Sequence, residues 1–158
     1  MNTPKKHNLR KITTGDIIKV SDLIYKTVDI SYSPVYPQEA ICYFKSEHSV
    51  AQIQKKMMDS YRIVCEFEGE IVATGCLDSD YIGGVYVSPQ HQGMGFGKLI
   101  MADLLAKAKA NGFVRINLHA SLPSKKFYDS LGFKTVCATH TDFENNARMD
   151  YFDMEMEL

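Results

Sequence analysis

The chain lacks an excess of charge of either sign: Lys plus Arg number 18 and Asp plus Glu 19, a formal net charge of −1. That balance excludes the strongly basic footprint of a nucleic-acid binder. The first eight residues, Met1–Asn8, are polar, and no apolar stretch follows that could form the core of a signal peptide. No run reaches the roughly 20 apolar residues of a membrane span. There is no C-x-x-C pair among Cys42, Cys65, Cys76 and Cys137, and no Cys/His spacing that suggests zinc. We therefore expect four buried thiols in a reducing cytoplasm, a cytoplasmic protein with no membrane or nucleic-acid partner, and no metal. Cys65 and Cys76 fall where they face each other across a hairpin, which alone does not argue for a disulfide. Glycine is also sparse, at ten residues in 158, but three of the ten fall within five positions.

What is present is ordinary globular material. Apolar residues make up 45% of the chain, and 8 Phe and 9 Tyr exclude an aromatic-poor disordered polymer. The length suits one domain, residues 1–158, able to bury a core without disulfides or metal, with 1–7 expected to be flexible. Periodicity predicts a strand over Asn8–Ile12 and a helix over Gly15–Val28 capped by Thr13 or Thr14. Ser31–Pro37 reads as a loop, Pro37–Phe44 and Ser49–Ser60 as helices, and Tyr61–Phe67 with Glu70–Leu77 as a hairpin turning at Gly69. Tyr81–Val87 is a third strand. The longest helix spans Gly97–Asn111, with a strand at Phe113–Leu118 after it. A short helix at Pro123–Leu131 precedes an antiparallel pair, Phe133–His140 and Asp150–Leu158. The result is a mixed α+β sandwich.

The clustered glycines lie in Val87-Ser88-Pro89-Gln90-His91-Gln92-Gly93-Met94-Gly95-Phe96-Gly97-Lys98, between a strand and the longest helix. A helix start leaves backbone N–H groups without partners, and these together with the helix dipole attract anions. Glycines let a ligand approach the main chain, and Lys98 adds a positive charge. A tight turn without a ligand would need one glycine, so three favour a phosphate site. A Walker loop fails twice, with Gln92 where its first glycine belongs and Leu99 after Gly97-Lys98. The dinucleotide fingerprint fails because Lys98 replaces its third glycine and no acidic residue ends the strand near Leu118.

Gln92-Gly93-Met94-Gly95-Phe96-Gly97 resembles the phosphate-binding motif of the GNAT superfamily of acyl-CoA N-acyltransferases, and Phe127-Tyr128-Asp129-Ser130-Leu131-Gly132-Phe133 resembles that family's second segment at the expected distance downstream. The resemblance covers roughly residues 8–158. It implies a three-layer α/β/α fold around a mixed, mostly antiparallel sheet, with acetyl-CoA as co-substrate. The CoA diphosphate would sit on the amides of Gln92, Gly93, Met94, Gly95, Phe96, Gly97 and Lys98. The pantetheine would run beside Val85, Tyr86 and Val87, with the Val87 N–H facing the thioester oxygen. Tyr128 matches the tyrosine that protonates the departing thiolate in many members. Ser121 stands where many members carry an asparagine that bonds the pantetheine, Ser124 matches a small-residue position or caps a helix, and Lys125 and Lys126 are within reach of CoA phosphates or simply solvated.

The general base is left open. His119 is the leading candidate, on a strand that also carries Asn117; Tyr81, Asp80 and Asp78 follow, and positioning of an already neutral amine is the alternative. The acceptor wall would draw on Asp29, Tyr32, Tyr36, Glu39, Tyr43 and Phe44, with Tyr32, Tyr36 and Tyr81 as its principal contacts. His140–Arg148 is either a cap over that pocket or a plain hairpin loop. The expected function is an acetyl-CoA-dependent N-acetyltransferase for an amine on a small molecule or peptide, with a homodimer admitted by the resemblance. The alternative is a CoA-binding sensor or interaction module of the same fold without turnover.

Overall fold

In a computed structural model, described over residues 6–158, the strands are β1 (His7–Lys11), β2 (Tyr61–Phe67), β3 (Glu70–Asp78), β4 (Tyr81–Val87), β5 (Arg115–Ser121), β6 (Lys134–Asp142) and β7 (Arg148–Glu157). They form one sheet in the order β1-β2-β3-β4-β5-β7-β6. Every neighbouring pair is antiparallel except β4 and β5, which run parallel. Of the stretch expected to be flexible, residues 1–5 lie outside the described residues, and His7 already pairs with Phe67.

Alternation along β2 divides the core. Ile63, Cys65 and Phe67 face one side, where Ile100, Met101, Leu104 and Ala108 of α4 (Phe96–Ala110) cover the sheet together with Tyr128 of α5 (Lys125–Ser130). Val64 faces the other side and meets Val20, Leu23 and Ile24 of α1 (Ile17–Thr27), Ile41 of α2 (Gln38–Glu47) and Ile53 of α3 (Val50–Lys56). The sheet is thus sandwiched between two helical layers, each burying one apolar stripe.

The start of α1 is pinned electrostatically. Arg10 donates to both carboxylate oxygens of Asp16, at 2.6 and 3.0 Å, and to Glu66 at 2.8 Å. Asp16 also accepts from the Thr13 N–H at 2.8 Å. These bonds hold the buried Asp16 carboxyl well below the usual carboxylate range.

Two local features depart from expectation. The helix expected to stop at Val28 continues as a π turn over Val28–Tyr32, closed by the Ser33 N–H bonding the Val28 carbonyl at 3.2 Å. The wider turn drops Tyr32 into the core where a loop was expected. The thiols divide as well: Cys65 and Cys76 are buried, but Cys42 and Cys137 are exposed, on the outer face of α2 and on the edge strand β6. Cys65 pairs in register with Ala73, while Cys76 sits opposite Arg62, so the two buried thiols do not face each other. The His140–Arg148 stretch is a hairpin connection: β6 runs to Asp142 and β7 begins at Arg148, and the five residues between are closed by Phe143 N–H to Ala147 C=O at 2.8 Å. Among the described residues, no helix is long and apolar enough to cross a membrane.

Candidate active site

The parallel neighbours β4 and β5 meet at one register position, Tyr81 opposite Asn117, where the Asn117 N–H bonds the Asp80 carbonyl at 2.9 Å. Beyond that point they part, and among the described residues no strand covers the rest of β4 on its β5 side. On its other side, Val87 lies opposite Ala73, and the ladder bond belongs to Ser88, whose N–H reaches the Val72 carbonyl at 2.8 Å. Antiparallel alternation therefore turns the Val87 N–H away from β3, toward the gap. Its carbonyl is already engaged, accepting from Gln92 Nε2 at 3.1 Å.

A cleft of about 530 Å³ opens along that gap and ends at the glycine turn. The turn's backbone explains its composition. Gly93 has φ of 77° and Gly95, which caps α4, has φ of 92°; both lie in the left-handed region. Gly97 is needed for space, because a Cβ there would stand 3.1 Å from the Phe127 ring. The first intrahelical bond runs from the Leu99 N–H to the Gly95 carbonyl at 3.1 Å, so the Phe96, Gly97 and Lys98 amides precede the helical ladder. The first turn of α4 holds no acidic residue, and Lys98 lines the cleft. Unpaired amides, the positive end of a 15-residue helix and a lysine fit a diphosphate.

A second cleft, of about 320 Å³, lies on the other side of β4, beneath α2 and α3. Tyr43, Phe44, Tyr81, His119 and Tyr151 contribute to its walls. The two clefts share five residues: Tyr32, Val85, Tyr86, Ser124 and Tyr128. Tyr128 is 6% exposed, and burial raises its phenol pKa, so the hydroxyl keeps its proton. Tyr32 receives a hydrogen bond from Ser121 Oγ at 3.0 Å, and Ser121 and Ser124 hydroxyls stand 2.7 Å apart. His119 Nε2 lies 3.1 Å from Asp153 Oδ1, and the ring packs 5.4 Å from Tyr81 and 5.0 Å from Tyr151.

The site residues expected from sequence fall into three groups. Val85, Tyr86, Val87, Gln92, Gly93, Gly95, Phe96, Gly97, Lys98, Ser124 and Tyr128 line the larger cleft. Tyr32, Tyr81, His119 and Ser121 line the smaller one, so Ser121 lies on the side opposite the glycine turn. Met94, Lys126 and Tyr36 line neither. Met94 is exposed on the turn, and Lys126 is exposed on α5. Tyr36 spends its hydroxyl on structure, donating to the Asp150 carbonyl at 2.7 Å and accepting from the Leu122 N–H at 2.8 Å. Asp29 is tied to Lys45 at 2.6 Å, and Asp80 accepts from Asn117 Nδ2 at 3.0 Å.

Sequence reading missed Arg62 and His48. Both line the smaller cleft, and each holds a buried side-chain nitrogen without a hydrogen-bond partner among the described residues. The signal was available for Arg62, the single cation within the strand Tyr61–Phe67. His48 gave none, because it follows a helix in a polar stretch.

A family model described as "Acetyltransferase (GNAT) domain" matches residues 32–158. The chain belongs to the GNAT acetyltransferase family. Over 54 residues, 34% of the chain, it is 35% identical to glucosamine 6-phosphate N-acetyltransferase of Trypanosoma brucei brucei, and the match spans 37% of that protein's length. Its fold matches the GCN5-related N-acetyltransferase of Rhodopseudomonas palustris at a TM-score of 0.88, with 17% identity and 100% of both chains covered. The PaiA N-acetyltransferase of Thermoplasma acidophilum, solved with coenzyme A, matches at 0.78 with 15% identity, covering 97% of this chain and 99% of that one. At these identities the structural likeness speaks to fold, which is the GNAT fold expected from the glycine turn and the Phe127–Phe133 segment.

Proposed function

We propose that this family member transfers an acetyl group from acetyl-CoA to the primary amine of an acceptor, by direct attack of the amine on the thioester. The observation that carries this reading is the meeting of the two clefts at Tyr32, Val85, Tyr86, Ser124 and Tyr128. One cleft ends in a diphosphate-type turn and the other is walled by aromatics, so a donor and an acceptor entering from opposite sides reach each other only there. The coenzyme A bound by the Thermoplasma relative supports the donor assignment.

The chain's residues then divide the work. The Phe96, Gly97 and Lys98 amides with Lys98 Nζ hold the diphosphate. The free edge of β4 pairs with the pantetheine as an added strand. The Val87 N–H donates to the thioester oxygen as charge develops on it. The amine nitrogen forms a bond to the carbonyl carbon, the carbon–sulfur bond breaks, and Tyr128 gives its phenolic proton to the leaving sulfur. The proton lost by the amine passes to the His119 ring, which packs against Tyr81 and Tyr151, and solvent restores the tyrosine. The products are an amide and the CoA thiol.

A panel of amines, with free thiol release followed colorimetrically, tests the reading. Turnover with at least one amine is expected. Binding of acetyl-CoA, seen as a raised melting temperature, without turnover on peptides, polyamines, amino acids or amino sugars would favour a non-catalytic CoA-binding module.

A further inference from the structure

Arg62, the second residue of β2, lines the acceptor cleft and is 6% exposed. Among the described residues it forms no ion pair, and its Nη1 is buried without a hydrogen-bond partner. Two carboxylates share the cleft, but neither compensates it. Glu47 is taken by Lys56 at 3.4 Å. Asp78 is exposed at the end of β3, two residues beyond the Cys76 that pairs with Arg62, and it forms no ion pair with the guanidinium. The groups that do touch Arg62 are neutral: it bonds the Cys76 thiol and lies near Tyr86. His48, whose Nδ1 is also buried and unpartnered, is held neutral, its pKa pushed down to about 3 by burial and by the charges of Arg62 and Lys56.

The backbone makes room for this cation. β4 bulges between Gly83 and Tyr86, where Gly84 and Val85 stand against the single residue Gly75 of β3. Gly84 occupies the bulge at φ of 58°, and a Cβ there would stand 3.0 and 3.2 Å from the two guanidinium nitrogens and 3.3 Å from the His48 ring. A buried, uncompensated guanidinium is costly to the folded state, and a planar fork of donors matches a carboxylate or phosphate.

We propose that Arg62 anchors an anionic group, a carboxylate or a phosphate, carried by the amine acceptor, so that the enzyme selects substrates bearing both an amine and an anion. The word acceptor rests on the acetyltransfer reading above; the anion site itself does not. Bound there, the anion accepts from the Arg62 guanidinium, and it fixes the rest of the acceptor against the β4 wall shared with the donor cleft.

Two measurements decide it. First, protein saturated with coenzyme A, so that the glycine turn is occupied, is titrated with inorganic phosphate and with acetate while its melting temperature is followed. Wild type is expected to be stabilised by at least one of them and Arg62→Met by neither. In anion-free buffer the Met variant is expected to melt no lower than wild type, since it removes an unpaired buried charge. Equal responses of the two proteins to both ions overturn the site, with or without turnover.

Second, matched acceptors are compared by kcat/KM: an amino acid against its amide, and glucosamine against glucosamine 6-phosphate. One anionic member is expected to exceed its neutral partner by about 30-fold, the discrimination a buried charged contact supplies, and the pair that shows it tells carboxylate from phosphate. Arg62→Met should abolish that ratio and Arg62→Lys retain part of it, whereas a merely structural arginine would leave the ratio unchanged. Turnover in which neutral partners match anionic ones overturns the inference but not the acetyltransfer. If Arg62→Met does not fold, the wild-type ratios and Arg62→Lys still decide.

Discussion

Acidification should destabilise this protein through His48. The side chain follows the end of α2, where its backbone carbonyl accepts from Ser21 Oγ at 2.9 Å and its ring packs edge-on against Tyr86 at 5.2 Å. Burial first, then the charges of Arg62 and Lys56, lower its pKa from the ordinary 6.5 to about 3. The unfolded chain binds a proton as pH falls through about 6.5, whereas the folded chain resists until about 3, so the contribution is complete above 6.5 and is lost as pH drops through that window. With those two values, the loss between pH 7.5 and pH 5 is about 2 kcal/mol. For a domain of this size that is roughly 4–8 °C in melting temperature. Thermal melts of wild type and His48→Gln across that range check it. The variant cannot titrate at this position, so wild type should lose about 2 kcal/mol more than the variant does. Equal losses, or a proton NMR titration placing the His48 midpoint near 6.5, would refute the reasoning.

Tyr128→Phe removes the proton donor but keeps the ring, so kcat should fall by about 100-fold or more while the KM for acetyl-CoA changes little. Gly95→Val forces a β-branched residue into a left-handed cap, which should cost about 1–2 kcal/mol in urea melts and weaken coenzyme A binding in calorimetry. Asp16→Ala breaks the Arg10 fork and the bond to Thr13 together, and a loss of about 2–3 kcal/mol at pH 7 is expected. Because the Asp16 pKa is depressed in the fold, its contribution is present above the ordinary carboxylate value of 3.8 and fades as pH falls below it, so the variant and wild type should converge toward pH 2.

The glycine turn was legible because its demands are local. Positive φ at Gly93 and Gly95, and a contact at Gly97, write themselves into residue type wherever such a turn occurs. The strands were legible for the same reason, since Tyr61–Phe67 and Tyr81–Val87 carry their assignment in apolar and β-branched content. The acceptor side was not, because it is assembled from distant segments. The π turn at Val28–Tyr32 carries no signature in a 3.6-residue pattern, and Tyr32 finds Ser121 across 89 positions of sequence. Tyr36 looked like a pocket aromatic, yet its hydroxyl holds Leu122 and Asp150 together. Arg62 was visible as a cation in a mostly apolar strand, but its meaning depends on the bulge at Gly84 and on the lack of an ion-pair partner among the described residues, neither of which a sequence displays.

The most direct measurement is the position of the sulfur atom in a crystal structure with coenzyme A. The account predicts the diphosphate on the amides of Phe96, Gly97 and Lys98, the pantetheine in the gap between β4 and β5, and the sulfur within about 4 Å of the Tyr128 hydroxyl, where the two clefts join. A pantetheine that leaves the cleft before reaching Val85–Val87, or a sulfur remote from Tyr128, would contradict it.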